Sequence, residues 1–154
     1  WFQTAFPLLD WQSGVGWVRD AAVDMYGETV TSEAFALKDL AVTAPARYEV
    51  SGVGTRGMED AGGDRTTHHF SAPVMRDVAV MVGDFDLSEQ TAAGTNVHLA
   101  VPRFGRLNDS SAWRQRVDTS LADLADYLGA VPFSDVWVNV VPGGTEGIES
   151  SGEV

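Results

Sequence analysis

The sequence predicts a mainly β chain: an antiparallel sheet or sandwich over residues 1–106, then, over 107–154, an amphipathic helix and a strand that open an α/β domain. Three observations carry this. Short alternating or β-branched runs, each bounded by Gly or Pro, recur up to about residue 106. Trp113, Val117, Leu121, Leu124 and Leu128 form one stripe at spacings of 4, 4, 3 and 4. The apolar run DVWVNVV (135–141) follows directly.

Taken in order, residues 1–27 are aromatic and apolar, broken by Pro7, Gly14 and Gly16, and read as an irregular packed segment with one short strand. Residues 28–43 end in alternation, with Phe35 and Leu37 on one parity and Leu40 and Val42 on the other, and stop at Ala44-Pro45. RYEVSGVG (47–54) is the second strand and TRGMEDAGGD (55–64) a turn-rich connection. RTTHHFSAP (65–73) and RDVAVMVGDF (76–85) are the third and fourth strands, LSEQTAAGT (87–95) a loop, and NVHLAVP (96–102) the fifth strand. The helix is expected to be capped by Asn108, Asp109 or Ser110, whose side chains accept bonds from first-turn N–H groups, and closed by Gly129.

Composition bounds the function. At 154 residues the chain is long enough to bury a sizeable core, and 44% hydrophobic residues with fifteen aromatics exclude wholesale disorder. Twenty-two acids against ten bases give a net charge of −12, which repels phosphate backbones and anionic membrane surfaces, so nucleic-acid binding is not expected. Without cysteine there is no disulfide, thiolate catalysis or cysteine zinc site, and the compartment is unread; an extracellular or cell-surface location stays open. No apolar run reaches the length of a membrane span. The first residue is Trp, so a fragment or processed chain is expected.

Candidate chemistry is sparse. His68, His69 and His98 are the only histidines. His68 and His69, adjacent on a strand, point to opposite faces and cannot share a metal, which leaves His98 to pair across strands with one of them; half-buried strand histidines are the expected outcome. Asp84 and Asp86, two apart, with Glu89, have oxygen ligands for calcium but lack the EF-hand pattern, so a solvated strand end is expected. No phosphate-binding glycine loop, nucleophile elbow or HExxH motif is present.

The tail is more specific. GIESSG (147–152) resembles the G-x-M-E-N exopeptidase motif of the aminopeptidase N-like family of zinc metallopeptidases (gluzincins): Gly147 matches its glycine, Ile148 its methionine and Glu149 its glutamate. The helix and the GAVPFSDVWVNVVPG stretch before it resemble the family's helix, aromatic turn, strand and glycine turn. Upstream, WFQTAFPLLDWQSGVGW, LKDLAVTAPARYEVSGVG and THHFSAPVMRDVAVMVGDF resemble successive family segments, in order. Ser150 stands where the motif has Asn, and Ser151 where Pro is common, which puts strict exopeptidase specificity in question.

The resemblance implies an incomplete N-terminal β domain (1–106) and the start of a thermolysin-like catalytic domain (107–154). It implies that Glu149 binds the free α-ammonium of a peptide substrate while Gly147 and Ile148 offer backbone groups to it. A carboxylate at that point measures the chain end through a charge-assisted bond, and the glycine lets a substrate strand approach closely. It implies zinc in the full-length parent and, without HExxH, no catalytic residue and no cofactor in this chain. The helix and strand of a truncated domain are expected to pack on the β part or on a second copy, giving self-association. The alternative is a non-enzymatic β-sandwich interaction module.

Overall fold

The structure is a computed structural model that describes residues 11–17, 34–60, 62–76 and 78–141. The described chain is mainly β, with antiparallel sheets followed by a helix and a strand, as the sequence predicts. β1 (Trp11–Gln12) and β2 (Gly16–Trp17) form a small hairpin on which Trp11 and Trp17 meet edge to face at 5.3 Å. β3 (Phe35–Pro45), β5 (Thr55–Asp60) and β6 (Arg65–Met75) make an antiparallel sheet with β6 in the centre. β4 (Glu49–Ser51) pairs with β7 (Met81–Gly83). β8 (Phe85–Ala92), β9 (Thr95–Pro102) and β10 (Asp135–Asn139) form the third main sheet, in the order β10-β9-β8.

The switch of parity within 28–43 has a physical cause. Leu37 points inward, and so do Leu40, Val42 and Ala44, although they lie on the opposite parity. The register against β6 shifts between Leu37 and Leu40, and such a bulge exchanges the faces of the residues beyond it.

Three segments differ from expectation. Residues 55–60 are strand β5, not a turn: they pair along β6 from Thr55–Ser71 to Asp60–Thr66, with Arg56 anchored inward, and the turn is confined to 62–64. Residues 87–92 are strand, not loop. The polar run Ser88–Thr91 meets partners on the helix and on β9, and only Ala93 and Gly94, at φ 48° and 82°, form the two-residue turn that twisted hairpins favour. The fourth strand is also broken: Val78 and Ala79 are buried without joining a ladder, and only 81–83 pair with β4.

Helix α1 (Ser110–Leu128) begins where predicted. Asp109 Oδ1 accepts from Ser111 N and Ala112 N at 3.1 Å each, and the Gly129 N–H donates to the Ala125 carbonyl at 2.9 Å. Trp113 and Val117 pack on Leu99, Val101 and Val140. No helical residue is fully buried, and Leu124, Tyr127 and Leu128 stay exposed. α1 connects β9 to β10, which run parallel and therefore need a crossover of this kind.

Candidate functional site

Trp137 sits where the sheets meet. Its ring is fully buried and packs with Phe70 of β6, Val50 of β4 and Ala44 of β3. Phe70 meets it edge-on at 5.6 Å, His98 of β9 stacks on it at 4.2 Å and 11°, and its Nε1 donates to the Gly54 carbonyl at 2.8 Å.

Beside it lies a buried ionic cluster at the start of β10. His98 Nε2 is 2.9 Å from Asp135 Oδ1. Asp135 Oδ2 accepts from Ser134 Oγ at 2.8 Å and from Thr55 Oγ1 at 3.1 Å. Burial pushes the Asp135 carboxyl upward, but the bonds from His98, Ser134 and Thr55 together outweigh it and hold its pKa below the ordinary value. Asp135 is therefore a carboxylate, which can only accept, and the His98 proton that faces it sits on Nε2. Glu89 Oε1 is 3.3 Å from Nδ1, off the hydrogen-bond direction.

This cluster borders a cleft of about 330 Å³ between the start of β5, the end of β6 and the 132–135 loop. Val74, Met75, Pro132 and Phe133 give it apolar walls; Thr55, Ser71, Ser134 and Asp135 are its polar lining. Nothing in the sequence reading singled out Asp135, Thr55 or Ser134. The available signal was an Asp opening an otherwise apolar strand, where an unpartnered charge would be costly.

The histidines separate. His68 points inward, where Arg56 Nη2 donates to its Nδ1 at 3.1 Å and also bonds Glu49 Oε2 at 2.9 Å. Burial first, and then the Arg56 charge, lower the His68 pKa, against the opposing pull of Glu49. His69 points outward between two carboxylates, Asp39 at 2.8 Å and Glu59 at 3.3 Å. His98 pairs with neither but with Asp135 on the neighbouring strand of its own sheet, β10-β9-β8. Asp84 pairs with Arg103, and Asp86 accepts from Ser110, so the GDFDL acids diverge. Among the described residues no group of three or more His, Asp or Glu side chains fits a metal ion. No described helix is long and apolar enough to cross a membrane. Gly147, Ile148 and Glu149, the predicted substrate-binding residues, lie outside the described residues, in the segment that follows β10.

No protein-family model matches the sequence, and no curated protein matches it. Solved structures do. A two-domain M1 zinc metallopeptidase mutant bound to L-arginine superimposes with a TM-score of 0.55 at 16% identity, over 75% of this chain and 28% of that one. The fold is similar to part of the M1 zinc metallopeptidases. The same two-domain enzyme bound to L-tryptophan gives 0.54 at 16% identity, with the same coverage. An M1 mutant from Deinococcus radiodurans bound to a Tyr-Ser-Ala substrate gives 0.52 at 17%. The chain thus spans little more than a quarter, 28%, of the M1 structures that it matches. At these identities the M1 likeness is one of fold.

Proposed function

We propose that this chain is the non-catalytic portion of a zinc-dependent, aminopeptidase-like M1 metallopeptidase. In this reading it carries the substrate N-terminus recognition motif, Gly147, Ile148 and Glu149, but not the zinc-binding motif. The observation that supports it most is the order of elements. Antiparallel sheets lead into a β9–α1–β10 crossover, 75% of the chain superimposes on an M1 enzyme, and GIESSG follows β10 in the sequence.

In the proposal, residues 1–106 belong to the β domain and 107–154 open the catalytic domain. Glu149 accepts from the substrate's α-ammonium, while Gly147 and Ile148 present backbone groups to the peptide. Peptides are the substrates of the parent. Zinc belongs to the parent as well; among the described residues His68, His69 and His98 diverge and no cluster suits the ion. The face of Trp113 and Val117 packs on the β part, the first of the two expected outcomes, and self-association of the chain stays a proposal that sedimentation checks.

The reading frame downstream of residue 154 tests the assignment. An HExxH motif with a later Glu ligand is expected; a frame without them overturns it in favour of the interaction module. In the full-length protein, Glu149→Gln should lower kcat/KM for peptides with a free amine by about a hundredfold and leave amine-blocked peptides nearly unchanged.

A further inference from the structure

The cleft beside Asp135 carries an inference that does not depend on the peptidase reading. Its volume, about 330 Å³, is within the range of small-molecule sites, and its walls are mostly apolar. Its polar end is unusual in what it can offer. The Ser134 and Thr55 hydroxyls each have one hydrogen, and each gives it to Asp135 Oδ2. Toward the cleft they present lone pairs only.

Behind them is the Asp135 carboxylate, itself 7% exposed. Among the described residues, no Lys, Arg or His lines the cleft. A guest at this end therefore meets acceptors and a negative charge, while its body meets Val74, Met75, Pro132 and Phe133.

We propose that this cleft binds a small organic cation, with an N–H-bearing head at Thr55, Ser134 and Asp135 and a compact apolar body against Val74 and Phe133. The head supplies the hydrogens that the wall lacks. A carboxylate in the same place meets the Asp135 charge and the lone pairs of Thr55 and Ser134, so an anion of the same shape binds more weakly. The apolar walls disfavour a bare inorganic cation, which would lose hydration without gaining contacts.

The test is amide-resolved NMR of the full 154-residue chain titrated with 2-phenylethylamine, with 3-phenylpropanoate as the matched anion and methylamine as the head alone. Saturable shifts at Thr55, Val74, Phe133 and Ser134 are expected with 2-phenylethylamine, at least about tenfold tighter than with either comparator. Val74→Trp, at an exposed position on the cleft wall, should fill the space and abolish the shifts. Phe133→Ala, also at an exposed position, should weaken 2-phenylethylamine severalfold and leave methylamine unchanged. Unsaturable shifts spread over the acidic surface, equal binding of the anion, or full binding by either folded variant would overturn the proposal.

Discussion

His98 and Trp137 lie ring on ring, 4.2 Å apart and 11° from parallel, on neighbouring parallel strands. The stack places one polar and one apolar ring back to back: Trp137 closes the core shared with Phe70 and Val50, and His98 reaches Asp135. Replacing Trp137 with Ala removes its ring contacts with His98 and Phe70 and leaves a cavity where the sheets meet. A loss of roughly 3–5 kcal/mol in denaturant unfolding is expected. Trp137→Phe keeps the ring but leaves the Gly54 carbonyl without its 2.8 Å donor, and should cost about 1–3 kcal/mol.

Asp135 makes stability acid-sensitive. Its folded pKa is depressed below 3.8, so the unfolded state binds the proton more readily, and stability rises with pH through that window. The contribution is present above the unfolded value and is lost as pH falls through the folded one. Asp135→Asn should flatten this part of the stability–pH curve, measured by urea unfolding from about pH 5 down to 2.

His69 titrates in the opposite sense. The Asp39 bond first, and Glu59 second, raise its pKa above 6.5. Its contribution is complete below the unfolded value and is lost as pH rises through the folded one. An NMR titration of the ring should show the raised midpoint, and Asp39→Asn should move it down toward the ordinary histidine value. A midpoint unmoved by that change would show that the Asp39 contact is not the main cause.

Gly54 admits no side chain. Its φ is +63°, and a Cβ built there would lie 2.3 Å from the Ser71 carbonyl oxygen and 2.8 Å from the Ala72 Cβ. Both obstacles are firmly held, one of them by the backbone. Gly54→Ala should destabilise the chain by more than about 1 kcal/mol, measured by thermal unfolding, and should loosen the Trp137 Nε1 bond to the same residue.

The fold class was legible because its signals are local. The stripe from Trp113 to Leu128 gave the helix, with Asp109 and Gly129 at its ends. Adjacency on a strand put His68 and His69 on opposite faces. The misreadings came from residues whose partners are distant in sequence. Ser88–Thr91 reads as loop until Gln90 is seen bonding Asp118 across 28 residues. Gly57 and the acids around it read as turn until β6 pairs along them. Asp135 was invisible as a site because Thr55, which bonds it, lies 80 residues away. The glycine–glutamate motif proposed at 147–149 rests on family resemblance alone, since its local composition is that of any acidic turn.

The bonds from Thr55 to Asp135 and from Trp137 to Gly54 join positions 80 and 83 residues apart. They sew the last strand into the first sheets, so a genetic cut near residue 106 does not yield two independent parts. A shortened version that ends before β10 would lose the ring that fills the centre of the core and leave Gly54 and Thr55 without their partners. The smallest piece worth expressing as a folded body therefore runs through Val140, whose N–H still holds the Ala100 carbonyl at 2.9 Å.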